Sequence, residues 1–392
     1  MNEIGSPFEV LRVFLRLGLT CFGGPIAHIG YFREEFVVKR RWLSDQTFAD
    51  LLALCQFLPG PASSQLGFAI GLRRAGLIGA LAAWCGFTLP SAAALILFAL
   101  TAEHLQGHTA DGVLHGLKLV AVAIVGQALW GMARSLCPDR TRAAIGLAAL
   151  VIMLVGALPS LQITAILSGA AAGALFCRES AIAKPEISDL PTSRTIGLVA
   201  FLLFLLFLLG LPLLASERFF GIFNICYRAG AFVFGGGHVV LPLLRDAMMS
   251  PGVSPAMVSD DQFLAGYGAA QAVPGPLFTF AAYLGTIALG WRGGLVALIA
   301  IFLPGMLLLL AALPFWHRLR RLASAQAIMR GVNASVVGLL GAAFYDPIWV
   351  SSVGSKTDFA VAAVGFILLT LWRAPPLVVV ILGAAAGVFD GF

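Results

Sequence analysis

"QFLPGPASS", residues 56–64, sets Pro-Gly-Pro inside a stretch otherwise apolar enough for a membrane helix, and "QAVPGPLFT", residues 271–279, does so again. Proline removes an N–H and crowds the preceding turn, and glycine adds backbone freedom, so each tripeptide breaks a helix. Peptide groups freed at membrane depth are tolerated only where protein buries them or they line a water-filled cavity. One such break can be a packing kink. Two in matching contexts point to a built feature, and the fold follows from how they are related.

The surroundings are those of a membrane protein. The 392 residues are 59% hydrophobic and 11% charged, with a mean hydropathy of +0.94, too apolar for a soluble domain that must cover itself with polar side chains. The uncharged run from Thr195 to Leu214 matches the roughly 20 residues of a spanning helix. The N-terminus reads as lacking a cleavable signal peptide: Glu3 opens it, and Arg12 and Arg16 lie in its first apolar stretch. Cys21, Cys55, Cys85, Cys137, Cys177 and Cys226 show no CxxC or metal-ligand spacing, so neither a disulfide framework nor a zinc site is expected. The net charge of +6 sits in short loops, where membrane topology accounts for it better than nucleic acid does.

The chain repeats itself. "RLGLTCFGG" (16–24) lies against "RAGAFVFGG" (228–236), which sets Arg33-Glu34 opposite Arg245-Asp246. Beyond a short insertion Asp45-Gln46 meets Asp261-Gln262, Gln56 and Pro59-Gly60-Pro61 meet Gln271 and Pro274-Gly275-Pro276, and Pro90 meets Pro304. Gly116 then meets Gly331, and "GAAAG" recurs at 169–173 and 383–387. An ordered series of this length reads as duplication.

Basic residues give sidedness, because cytoplasmic loops are rich in Lys and Arg. Arg33, Lys39, Arg40, Arg41, Arg73, Arg74, Arg134, Arg140 and Arg142 mark loops of one side, whereas 102–111 and 157–161 carry no Lys or Arg. With the basic loops inside, residues 46–72 enter and leave on one side, a re-entrant hairpin turning at Pro-Gly-Pro. Spans are expected near 75–101, 112–133, 143–157, 161–177 and 195–214. The second half starts outside, and its "HRLRR" (317–321) falls where the first half has an uncharged outer loop. The expected fold is an all-α polytopic membrane protein with two inverted-topology repeats. Residues 1–177 are the first repeat, 178–215 a cytoplasmic linker and connecting helix, and 216–392 the second. Thirteen apolar segments resolve into nine full spans and four broken or re-entrant ones. Whether 8–32 and 219–245 cross is left open by the breaks Gly23-Gly24-Pro25 and Gly235-Gly236-Gly237.

These breaks hold the candidate site. Pro61 suits the first turn of a helix and Gly60 the flexible residue before it, so Ala62, Ser63 and Ser64 would present free N–H groups, with Leu277, Phe278 and Thr279 in the partner. Helix N-termini attract anions. Arg16 and Arg228 precede the glycine breaks by seven residues and could draw an anion in or snorkel to an interface. Lys118 is a cation where the second half has Asn333. The acids Glu34/Asp246 and Asp45/Asp261 could relay protons. The more ordinary reading makes them partners of Arg33 and Arg245, or, for Asp45 and Asp261, helix caps. His28 and His238 stand beside the glycine breaks, where a histidine could respond to pH. No nucleophile elbow, zinc-protease motif, phosphate loop or dinucleotide fingerprint is present, so an enzyme or an ATP-driven pump is disfavoured and no cofactor is implied.

"FGGPIAHIG", "QFLPGP" and "FTLP", with "FGGGHVVLPLL", "QAVPGP" and "FLPG", resemble the chromate ion transporter family in its long two-repeat form, over nearly the whole chain. The resemblance implies a bacterial inner-membrane exporter of chromate that confers resistance, with the proton-motive force as driver. Sulfate or another tetrahedral oxyanion is the alternative substrate; a passive channel or a membrane enzyme is more distant. Membrane lipid is its solvent, a homodimer is an allowed assembly, and nucleic acid is not a partner.

Overall fold

A computed structural model describes residues 5–102, 108–156, 161–178, 193–214, 217–234, 237–249, 257–316 and 322–389, and among them there is helix and no strand. Seven helices occupy the first half: α1 (Pro7–Thr20), α2 (Gly24–Arg33), α3 (Asp45–Phe57), α4 (Ala62–Ala102), α5 (His108–Leu136), α6 (Arg140–Val155) and α7 (Leu161–Phe176). After α8 (Arg194–Leu214) come α9 (Arg218–Phe232), α10 (Val240–Met249), α11 (Asp260–Ala272), α12 (Phe280–Ala312), α13 (Ala323–Ala343), α14 (Lys356–Thr370) and α15 (Pro376–Phe389). Helix α9 stands to α1 as each later helix stands to its counterpart. The loops 103–107 and 157–160, the linker 179–192 and the basic run 317–321 lie outside the described residues.

Polar side chains start the helices where the chain leaves a loop. Ser6, Ser44, Ser259 and Ser355 each accept from a backbone N–H of the first turn of α1, α3, α11 and α14. Asp139 does the same for α6, and bonds from Arg142, backbone first and side chain second, hold its carboxyl below the usual carboxylate range. These caps correct the sequence register. Asp45 follows its cap Ser44 as Asp260 follows Ser259, so the partner of Asp45 is Asp260 and not Asp261. Neither Asp45 nor Asp261 is itself a cap. The doublet Asp260-Asp261 permits a one-residue slip that only the serine resolves.

Five helices among the described residues are long and apolar enough to cross a membrane: those at 62–101, 111–136, 194–213, 277–315 and 323–349. Two of them are folded on themselves. Helix α4 turns at Ala75-Gly76 and α12 at Leu289-Gly290, with glycine φ of 65° and 67°. The arms close tightly enough that a Cβ on Gly71 would lie 2.8 Å from the Ala83 Cβ, and one on Gly285 would lie 2.7 Å from that of Ala297. The arms 77–102 and 291–312 remain long enough to span. Helix α3 has 13 residues and the arm 62–74 is equally short. At 1.5 Å per residue each is about 20 Å long, short of the ~30 Å hydrocarbon core.

Small residues then lock the halves together. Gly112 and Gly116 of α5 lie against Gly387 and Gly383 of α15, an antiparallel seam. Gly173 and Gly169 of α7 lie against Ala327, Gly331 and Ser335 of α13, also antiparallel. Helix α14 runs parallel to α5, pairing Ala123 with Gly365 and Gly126 with Phe366, as α6 runs parallel to α13, pairing Gly146 with Ala334 and Leu150 with Gly338. Lipid offers no hydrophobic drive for helix association, so close backbone approach through glycine supplies van der Waals energy instead. A Cβ on Gly116 or Gly331 would collide with the carbonyl oxygen of Gly383 or Gly169. Gly116→Val and Gly331→Val are therefore each expected to cost about 1–3 kcal/mol, seen as earlier unfolding of the detergent-solubilised protein on heating. Unchanged melting would refute the seams.

Candidate functional site

The four broken segments converge. Gly60, at the first Pro-Gly-Pro tip, donates its N–H to the Val233 carbonyl at 2.7 Å, at the end of α9. Gly275, at the second tip, donates to the Cys21 carbonyl at 2.9 Å, just after α1. Each tip is thus tied to the glycine break of the other half. Both donors have positive φ, 122° at Gly60 and 103° at Gly275, where a side chain is strained. Each tip also abuts the other half's long helix: a Cβ on Gly60 would lie 3.1 Å from the Gly305 Cα, and one on Gly275 would lie 2.8 Å from the Ser91 Oγ. Gly237 closes the group against Pro25, Leu277 and Phe278. Gly235 and Gly236 lie outside the described residues.

The two tips differ in chemistry. At the first, Pro61 leads into α4, whose initial N–H groups have no acceptor within the helix. Ser63, Ser64 and Gln65 are buried there at 3%, 4% and 1% exposure. Gln65 Nε2 donates to the carbonyls of Pro59 and Gly305 at 2.9 and 3.0 Å, fastening the tip across the halves. His28 of α2 is 1% exposed, with Nδ1 3.5 Å from the Ser63 Oγ and its ring edge-on to Phe87. Its Nε2, the Ser64 Oγ, the Gln65 Oε1 and the Thr88 Oγ1 are buried without a hydrogen-bond partner. Unpaired buried polar atoms in such number signal an unfilled polar requirement.

At the second tip, Pro276 leads into a 3-10 turn, Leu277–Thr279. Thr279 spends both its N–H and its hydroxyl on the Pro276 carbonyl, at 3.0 and 2.7 Å. The expected equivalence of Thr279 with the serines therefore fails for donation, because the tighter turn brings a carbonyl within its reach. Leu277, Phe278 and Phe280 make the rest of this tip apolar.

The remaining candidates are dispersed. Gln56 is exposed and Gln271 half-buried with an unpaired Nε2. Arg16 is exposed on α1, while Arg228 of α9 is half-buried and has no ion pair among the described residues. Arg33 pairs with Asp45 at 2.7 Å and Arg245 with Asp260 at 2.8 Å, in place of the neighbouring acids, because the helix starts bring those carboxylates to the guanidinium. Glu34 lies 3.6 Å from Lys39. The Asp246 side chain lies outside the description. His238 Nδ1 meets the Tyr267 hydroxyl. Lys118 is engaged by Asp261 at 2.7 Å, and the Asn333 Oδ1 is buried and unpaired. Gln65, Thr88, Ser91 and Tyr267 carry no mark in the sequence that sets them apart from other polar residues in membrane helices. Only proximity to the tips reveals them.

A family model described as "Chromate transporter" matches this chain twice, over residues 8–174 and 220–388. The chain is 30% identical over 96% of its length to the "Chromate transport protein" of Pseudomonas aeruginosa, 90% of which is covered. It is 28% identical over 97% of its length to the "Probable chromate transport protein" of Synechococcus elongatus, covering 94% of it. A "Chromate transport protein" of Cupriavidus metallidurans is 26% identical over 85% of the chain and 80% of that protein. No solved structure matches.

Proposed function

Since the chain belongs to the chromate transporter family and is a multi-pass transport protein of the bacterial inner membrane, we propose that it exports chromate from the cytoplasm under the proton-motive force and thereby confers resistance. The observation that carries this reading is the convergence of four helix breaks on one polar tip, where the Ser64 and Thr88 hydroxyls and the His28 Nε2 are buried without a partner and the first N–H groups of α4 have no acceptor within the helix. Those donors suit a tetrahedral oxyanion. Ser63, Ser64, His28 and the first N–H groups of α4 would hold it; Pro59-Gly60-Pro61, Gly23-Gly24-Pro25, Gly235-Gly236-Gly237 and Pro274-Gly275-Pro276 would form the walls. Arg228 would attract it from nearby. Sulfate would be met by the same donors.

The repeats, 1–177 and 216–392, are proposed to be inverted, with 178–215 linking them. Helix directions support this. Helix α13 runs with α6 and against α7, and α14 runs with α5 while α15 runs against it. Helix α5 meets α13 in antiparallel sense, Gly126 against Phe344 and Leu129 against Gly341, which sets every helix from α5 to α7 opposite in direction to its counterpart. The short arms around each tip support re-entrant hairpins entering from opposite sides.

With the cytoplasm negative, outward movement of a dianion is favoured by about 4.6 kcal/mol per 100 mV, twice the roughly 2.3 for each charge. Purified protein in liposomes is expected to move chromate toward the positive side under an imposed potential, and faster with a superposed pH gradient. Absence of flux under both gradients would sink the transport reading, and full competition by sulfate would reassign the substrate.

A further inference from the structure

One ion pair and one histidine–carboxylate pair join the halves at one end of the molecule. His115 and Lys118 are three residues apart on α5 and so share a face. The His115 Nε2 lies 2.8 Å from the Asp358 Oδ1 of α14, and the Lys118 Nζ lies 2.7 Å from the Asp261 Oδ1 of α11. The carboxylate of Asp358 is 1% exposed and also accepts from the N–H groups of Gly354 and Ser355, both at 2.9 Å. The Lys118 side chain is 13% exposed. Both pairs cross between the halves; Asp358 and Lys118 are largely withdrawn from water whereas the Asp261 side chain is 73% exposed, so the His115–Asp358 pair is the less screened of the two. Of the described charges nearby, Asp111 and Lys356 are exposed and Asp260 is held by Arg245.

The equivalent positions do not hold the same two pairs. By the helix register, His115 corresponds to Arg330, Lys118 to Asn333, Asp261 to Gln46 and Asp358 to Arg142. Two cations and two neutral amides cannot reproduce those pairs. Arg142 pairs with Asp139 of its own turn, and Arg330 donates to the Cys177 carbonyl. On the sidedness proposed above, the ion-paired end is the outer one and the end lacking the pairs is cytoplasmic.

We propose that His115 and Lys118 are gate residues: their pairs with Asp358 and Asp261 hold the outer end of the path closed, and breaking them sets the rate at which the carrier opens outward. The inference rests on the inverted arrangement proposed above, but its test uses no chromate. A Ser64→Cys reporter at the first tip, in intact cells, should label only slowly with a membrane-impermeant maleimide added outside, measured above the parent with its native cysteines. Lys118→Ala and, separately, His115→Gln should raise that labelling about tenfold, the shift expected when a closed state loses about 1.4 kcal/mol of coupling. Exchanging the charges, Lys118→Asp with Asp261→Lys, should restore protection. Lys118→Gln replaces the alanine if that variant is lost from the membrane. Rapid labelling before any gate residue is changed, labelling unmoved by both substitutions, or no recovery on charge exchange would each overturn the proposal. Absence of chromate flux in the unmodified protein would sink the transport reading and leave this result standing.

Discussion

Gly60→Ala is expected to reduce chromate flux in proteoliposomes to background while the protein still inserts and stays monodisperse in detergent. The new Cβ would sit 2.9 Å from the Gln65 Nε2 and 3.1 Å from the Gly305 Cα, on a residue whose φ is 122°. Neither backbone can yield without moving the tip, and moving the tip pulls the Gly60 N–H away from Val233. A displacement of ~1 Å in a positioned site is worth about 100-fold in rate. Gly275→Ala should do the same, since its Cβ would meet the Ser91 Oγ at 2.8 Å and the Phe87 carbonyl at 3.1 Å. Gly30→Ala is the control: nothing lies within 4 Å of a Cβ there, and flux should be unchanged. Flux that survives both tip substitutions would remove the Pro-Gly-Pro loops from the path.

Losing the serine hydroxyls should have the second largest effect, and a lopsided one. Ser63→Ala with Ser64→Ala is expected to raise the half-saturating chromate concentration at least about tenfold, because hydrogen bonds to a charged group contribute about 1.5–3 kcal/mol each. Thr279→Val, at the matching place in the other half, should change it less than about twofold, since that hydroxyl already donates to Pro276. Equal effects at the two tips, read from concentration-dependent flux, would mean that the anion is shared symmetrically. A larger effect at Thr279 would move the site to the second tip.

Much of this arrangement was legible in the chain. Breaks at Pro-Gly-Pro and at the glycines could be read because proline and glycine act locally, through dihedral limits that no tertiary contact cancels. The glycines at 116, 331, 169–173 and 383–387 stood out for a related reason: each recurs where two helices pack closely. What the sequence concealed is partnership. That the first tip binds the second half's break, and the reverse, depends on contacts between residues more than 150 apart, such as Gly60 and Val233. Lys118 reads as a lone cation in an apolar helix, but 143 positions along the chain Asp261 completes it. Thr279 looked like a serine equivalent until a 3-10 turn placed Pro276 under its hydroxyl. A one-residue slip at Asp260-Asp261 arose because two adjacent acids offer the same letter and only one follows the capping serine.

The crossed glycine seams also impose a schedule on biogenesis. Helix α5 enters the bilayer early but finds its closest partner in α15, made more than 200 residues later, while α7 waits for α13. The first half must therefore persist in the membrane with its glycine stripes facing lipid until the second half has been synthesised and threaded beside it. During that interval incomplete packing, and not the finished fold, decides what membrane proteases can recognise. Yield in the cell would then depend on how fast the ribosome reaches α13 and α15 as well as on the stability of the assembled carrier.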